Sequence, residues 1–324
     1  MFYLETGSHD PCYNLAFEEY VLGHRTEGEW LILWQNASTV VIGLNQTAEE
    51  EINREYVEAH GVAVVRRKTG GGAVYHDLGN LNYSFISDSG PYETLSLRRF
   101  TEPICRALGT MGLEAECSGR NDITVGGRKV SGVAQRVQGG RILHHGTLLF
   151  DSDPDAIAGA LNADPEKFSS KSTKSVRARV GNIRGMLKED RTLEEFKELL
   201  LRELAAGELT RRELAEEELE AVRTLAEKYR SWDWTYARSP GYAYTNKKRF
   251  PGGTLGVSAD IKNGVLEDVR FSGDFMARRE LSEAEAALRG RRFQRPELME
   301  ALSGLDIESM FGAISAEEIL EVLL

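Results

Sequence analysis

Cysteine is scarce. Cys12, Cys105 and Cys117 are the only three in 324 residues, an odd, scattered set with no close metal-ligand spacing, so neither a disulfide framework nor a zinc site is suggested. Cys105 lies near the apolar face of an expected helix marked by Phe100, Ile104, Leu108 and Met111, and reads as a small buried hydrophobe. Nothing beside Cys12 or Cys117 is built to generate a thiolate. No apolar run approaches the length of a membrane span. Met1 to Asp10 lacks the basic and apolar segments of a secretory signal, so a cytoplasmic protein is expected. Positive charge is in deficit too: 40 Lys and Arg against 51 Asp and Glu leave −11. That balance argues against a dedicated nucleic-acid binder, which needs a basic field, and leaves room for a local basic site. Internal repeats and low-complexity segments are also missing.

What is present is an ordinary globular mixture, 41% hydrophobic and 28% charged, long enough for one large or two moderate domains. Asn14 to Leu22 reads as a helix with Asn14 at its N-cap. Leu31–Trp34, Thr39–Ile42, Val62–Val65 and Leu81–Ile86 are strand-like runs. Arg120 to Phe150 holds three more, separated by Gly126-Gly127 and Gly139-Gly140, pairs that supply positive φ cheaply. Thr192/Glu195, Thr210/Glu213, Ser282/Glu285 and Ser315/Glu318 have capping-box spacing, and Leu193, Phe196, Leu200 and Leu204 mark one helical face. Regular patterning breaks between Trp234 and Phe250, and Asn263-Gly264 then joins two alternating runs as a hairpin. The expected fold class is α+β: a catalytic domain over residues 1–240 and an accessory α+β domain over residues 246–324.

Four segments carry chemistry. Arg66 to Asn82 runs from an apolar strand through Arg66-Arg67 into Gly70, Gly71 and Gly72, which let backbone amides approach an anion closely. Two arginines beside them are planar, permanently charged donors. Walker spacing is absent, so this is not a P-loop. A glycine triplet alone would be an ordinary flexible turn; His76, Asp77, Asn80 and Asn82 downstream favour a site. In Gly119 to Gln135, strand alternation puts Lys129 and Ser131 on one face, with Val130 and Val133 on the other or in a following bend. A lysine on an inward face requires an anion, and spacing leaves solvent-facing and ligand-facing readings open. In Arg141 to Phe150, His144 and His145 point to opposite sides of a strand and lack the third ligand of a zinc site. Lys167 to Lys188 holds seven cations and no acid, a reversal of the overall charge suited to a loop that closes over phosphates or docks an acidic partner.

In this order, RRKTGGGAVYHDLGNLNYSF, GRNDITVGGRKVSG, HHGTLLF and KSVRARVGNI resemble the lipoate–protein ligase family, and SWDWTYARSP, FPGG and GDF extend the match over essentially the whole chain. Related biotin ligases share the fold but carry a different glycine- and arginine-rich signature. The resemblance implies a large mixed-sheet catalytic domain with a small C-terminal domain, acting as a monomer. It implies two steps: lipoate and ATP form lipoyl-AMP with Mg²⁺, and a lysine of an acceptor lipoyl domain (2-oxoacid dehydrogenase E2 or glycine cleavage H protein) then takes the lipoyl group. Lys129 matches the lysine that contacts both lipoate and phosphate. Arg66, Arg67, Gly70, Gly71, Gly72, Ala73, Val74, Tyr75, Asn121 and Asp122 match nucleotide positions, Asp122 meeting Mg²⁺ through the phosphates. Lys174, Ser175, Val176, Arg177, Arg179 and Val180 match the adenylate loop, and Gly72, His76, Ser131, Gly132, His145 and Gly146 the lipoate pocket. Val133 and GDFMA depart from commoner residues. The alternatives are an octanoyl or lipoyl transferase working through a cysteine thioester, a non-catalytic lipoate or nucleotide sensor, and an RNA-binding module. No cysteine follows Cys117, and the extra C-terminal domain favours the ligase over the transferase.

Overall fold

The computed structural model describes residues 1–90, 96–118, 121–162, 179–205, 209–236, 244–262 and 264–324. Its centre is an eight-stranded mixed sheet in the order β11-β1-β2-β6-β10-β9-β8-β7. The strands are β1 (Phe2–Glu5), β2 (Trp30–Trp34), β6 (Asn80–Asp88), β7 (Ala115–Ser118), β8 (Asp122–Val125), β9 (Arg128–Gln138), β10 (Arg141–Leu149) and the two-residue β11 (Thr210–Arg211). Against it lies a small sheet, β4-β3-β5, of β3 (Thr39–Ile42), β4 (Ala63–Arg66) and β5 (Val74–His76).

Both faces of the large sheet are covered, which is why β2, Trp-Leu-Ile-Leu-Trp, is buried throughout rather than alternating. Leu31 and Leu33 pack with Leu81 and Tyr83 under α4 (Arg98–Thr110) and the helix Leu193–Leu204, through Ile104, Leu108, Phe196 and Leu200. Trp30, Ile32 and Trp34 face the other way, onto α1 (Pro11–His24) and the helix Glu216–Arg230, through Leu15, Phe17, Val21, Val222 and Tyr229. A C-terminal unit has its own core. The antiparallel strands β12 (Tyr244–Phe250), β13 (Gly253–Lys262) and β14 (Val265–Gly273) pack Leu255, Val257, Val269 and Phe271 against Leu288, Leu298, Phe311 and Leu320 from four helices.

Several local expectations are corrected. Asp10, not Asn14, caps α1, accepting from the Cys12 amide. Asn14 is buried, its amide donating to the carbonyls of Ser8 and Gln35 and to Asn36 Oδ1. Thr210 forms β11 beside β1 instead of a cap, because the strand edge offers its backbone hydrogen bonds. Glu285 caps nothing; it is buried and accepts from the Phe271 amide and Arg270. The boxes at Thr192 and Ser315 form as expected.

Arg66 departs furthest from expectation. Its guanidinium is wholly buried and donates to the carbonyls of Gly43, Leu44, Gln46, Trp234 and Thr235, while Trp234 Nε1 donates back to the Arg66 carbonyl. It ties β4 to the 43–46 loop and to the turn at Trp234, and lines neither of the chambers described below.

Two buried histidines set an acid limit. His76 accepts from Asn36 Nδ2 at 3.1 Å, and His144 accepts from Gln135 Nε2 at 3.0 Å while stacking on Phe100. Burial pushes each from an ordinary value of 6.5 down to about 3. Both stay neutral in the fold while the unfolded chain binds protons below pH 6.5, so stability is lost as pH falls from there toward 3. The expected slope is up to about 1.4 kcal/mol per pH unit per histidine. His144→Phe should remove one share, read by urea unfolding with tryptophan fluorescence at pH 7 and pH 5; an unchanged slope would contradict the assignment.

Candidate functional site

The site lies where the glycine triplet meets β9 and β10. Arg67, leaving β4, donates to the carbonyls of Val41, Gly70 and Gly72 and, through Nε, to Thr69 Oγ1. Its charge thus holds the loop in shape. Each glycine has a distinct task. Gly71 has φ +88, the left-handed region that a side chain resists. A Cβ on Gly70 would sit 2.8 Å from the Ala277 nitrogen and Phe275 oxygen, where the C-terminal unit lies against the loop. Gly72 faces open space, with only Asp274 Cβ near at 3.8 Å. The Gly71 amide donates to the Phe275 carbonyl at 3.1 Å, so the loop is shared between the two units.

Two adjoining chambers open here. The inner one, about 90 Å³, has apolar walls from Leu15, Trp34, Val41 and Val133 and polar atoms from His76, Asn82, Asn121 and His145. The outer one, about 430 Å³, is lined by Tyr75, Asp122, Thr124, Leu149, Arg179 and Val180. Gly72, Ala73, Val74, Lys129 and Thr147 line both. The Lys129 ammonium is 2.7 Å from Asp122 Oδ1, each side chain 34% exposed. Val180 bridges to Lys129, and the Gly181 amide donates to the Lys129 carbonyl at 2.9 Å, bringing Arg179 and Val180 beside the lysine.

The expected site residues therefore divide. Lys129, Gly72, Ala73, Val74, Tyr75, Asp122, Arg179 and Val180 meet at the outer chamber, and Arg67, His76, Asn121, Gly132, His145 and Gly146 at the inner one. Gly70 and Gly71 shape the loop without lining either chamber. Lys174, Ser175, Val176 and Arg177 lie outside the described residues, as do Lys167 and Lys171. Arg184, from the same basic run, pairs with Asp151 and Asp190. Ser131 is a correction: Thr124 pairs with Lys129 and Ile123 with Ser131, so Val130 is an extra residue in a β-bulge. A bulge breaks strict alternation. Ser131 turns into the core, fully buried, while Lys129 stays at the chambers.

Trp34 on the inner wall, with Ser84, Glu18 and Thr69 behind it, escaped sequence reasoning. Trp34 Nε1 donates to Ser84 Oγ at 2.9 Å, and Ser84 donates to Glu18 Oε1 at 2.6 Å. His145 Nδ1 donates to the same carboxylate oxygen at 2.8 Å, leaving Nε2 to accept from Thr69 Oγ1 at 2.8 Å. This relay orients the imidazole on the chamber wall. Its signal was Glu18 at helical spacing from Leu15 and Leu22, a carboxylate on an apolar face that must find donors. His144 lies on the opposite side of β10, in the core, so neither histidine is at the surface. Among the described residues no group of three His, Cys, Asp or Glu gathers to hold a metal, and no helix is long and apolar enough to cross a membrane. Cys12, Cys105 and Cys117 line neither chamber.

The family model of the lipoyl protein ligase A/B catalytic domain matches residues 10–205, and that of the bacterial lipoate protein ligase C-terminus matches residues 239–323. Lipoate-protein ligase LplJ of Bacillus subtilis is 42% identical over 320 residues, covering 97% of each chain. P. falciparum LipL1, solved in complex with lipoate, shares the fold with TM-score 0.82 at 21% identity, covering 99% of this chain and 98% of that one. A lipoate-protein ligase A bound with ATP aligns with TM-score 0.61 at 28% identity, over 72% of this chain and 96% of that one.

Glu18→Ala would strand the buried donors of Ser84 and His145, a loss of about 2–4 kcal/mol. Urea unfolding followed by tryptophan fluorescence checks it; a change below about 0.5 kcal/mol, the scale of an ordinary surface substitution, would show that the relay is not formed.

Proposed function

Since the chain belongs to the lipoate–protein ligase family, a family of ligase enzymes, we propose that it joins lipoate to ATP as lipoyl-AMP and then passes the lipoyl group to a lysine of an acceptor lipoyl domain. The observation that carries this reading is the position of Lys129, on the wall common to the two chambers.

The inner chamber suits a short aliphatic acid: apolar walls take the chain and ring, and the carboxylate comes to rest at the lysine. The outer chamber takes the nucleotide, its phosphates toward Gly72, Ala73 and Arg179. Carboxylate and triphosphate repel, so bringing an acid oxygen to the α-phosphorus requires a fixed positive charge between them. The protonated Lys129 supplies it as a clamp and moves no proton. The carboxylate attacks, pyrophosphate leaves, and the acceptor amine later attacks the acyl carbon and expels AMP. Neither step needs an enzyme nucleophile, in keeping with chambers that no cysteine lines. Alignment of bound reactants supplies roughly 7–11 kcal/mol in well-oriented systems.

Asp122 alone fits a Mg²⁺ held mainly by phosphate oxygens and water, a mode that needs only one or two carboxylates. Such an ion would add charge neutralisation at the phosphates. The separate hydrophobic core beyond residue 244 supports a division into a catalytic unit through residue 240 and an accessory unit from residue 246.

Lipoate-dependent exchange of labelled pyrophosphate into ATP tests the first step without an acceptor. Lys129→Ala should slow it at least ~10²-fold, the loss typical for one preorganised donor. Near-normal exchange by that variant would sink the assignment.

A further inference from the structure

At the edge strand next to β8, outside the lining of the two chambers, two thiols meet. Cys105 is half-buried on α4 and Cys117 is exposed on β7, the edge strand. Their sulfurs are 3.3 Å apart, separated by twelve positions in sequence. Cys117 Sγ donates to Thr101 Oγ1 at 3.1 Å, and Thr101 in turn donates to the Leu97 carbonyl at 3.1 Å. With that direction set, the Cys105 S–H donates to the Cys117 sulfur. This changes the reading of Cys105 as an inert core hydrophobe: its side chain points at a second thiol on the outside of the molecule.

We propose that Cys105 and Cys117 form a redox-active dithiol that closes to an intrachain disulfide by exchange with small aliphatic disulfides. A disulfide bond is about 2.05 Å long, so the sulfurs must approach by only about 1.2 Å, a movement open to two side chains already in contact beside a sheet edge. The order of attack follows from exposure. Burial and the neighbouring Cys117 push the Cys105 thiol up to about 12, so Cys105 stays protonated while the exposed Cys117 sulfur meets the reagent first. Cys117 attacks one sulfur of the small disulfide, whose S–S bond breaks. One thiolate departs and takes up a proton, leaving a mixed disulfide on Cys117. Cys105 then gives its proton to solvent and attacks the Cys117 sulfur, and the second small thiol leaves protonated. Two protein thiols are oxidised, one reagent disulfide is reduced to two thiols, and the books balance. Cys12 is an internal control: it is buried in the first turn of α1, and burial with Asp10 nearby pushes its thiol up to about 11.

The full-length protein is incubated with oxidised glutathione, quenched in acid, unfolded in denaturant, alkylated and weighed intact. The expected product has lost the mass of two hydrogens, retains no glutathione, and carries one alkyl group, on Cys12. Protease digestion should yield the α4 and β7 peptides joined by a bond that a reductant breaks. Cys105→Ser should stop at one glutathione on Cys117, and Cys117→Ser should take up glutathione at least ~10-fold more slowly, since only the hindered, protonated thiol remains. Three alkylatable thiols in the treated wild type, or glutathione retained on it, would overturn the proposal. Peptide mapping of the wild type decides the matter even if a variant folds poorly.

Discussion

One ion pair organises the site. A lysine ammonium set into a partly enclosed wall needs a counter-charge, and Asp122 provides it at 2.7 Å. The surrounding features keep that contact in place. The bulge at Val130 turns β9 so that Lys129 faces the chambers while Val130 and Ser131 fill the core. The bridge to Val180 pins the lysine backbone, and the antiparallel pairing of β8 with β9 brings Asp122 alongside. Without the bulge, Ser131 would share that wall and the valines would pack differently. A single inserted residue separates chemistry from core.

Permanent charge elsewhere serves architecture instead. The two adjacent arginines look alike in sequence and share one occupation: binding carbonyl oxygens that irregular backbone leaves unpaired. Arg66 gathers those of the 43–46 loop and the turn at Trp234, and Arg67 those within the glycine loop. A planar fork with five donors suits this work, which a lysine with three could not complete. Gly43 shows how tight the result is, for a Cβ there would collide with the Gly71 carbonyl.

Much of this was legible beforehand. The family and fold class followed from long motifs, and Gly72, Lys129, Asp122, His145 and Val180 indeed gather around connected space. What stayed hidden depended on contacts distant in sequence. Strict alternation puts Ser131 beside Lys129 and carries no sign of the bulge. Residue type could not tell an arginine that binds phosphate from one that binds carbonyls. Glu18 offers in sequence only its spacing from Leu15 and Leu22, because its donors come from β6 and β10. The sulfurs of Cys105 and Cys117 meet only because α4 packs against β7.

The exposure of the Lys129–Asp122 contact has a thermodynamic corollary. A pair one-third open to water is held by on the order of 1 kcal/mol or less, so an arriving anion can draw the ammonium away cheaply. A lysine waving freely would surrender about 2 kcal/mol of rotamer entropy at that same moment. Asp122 collects that cost during folding, long before any ligand appears. It acts as a parking brake set lightly, keeping the cation aimed without denying it to an incoming guest.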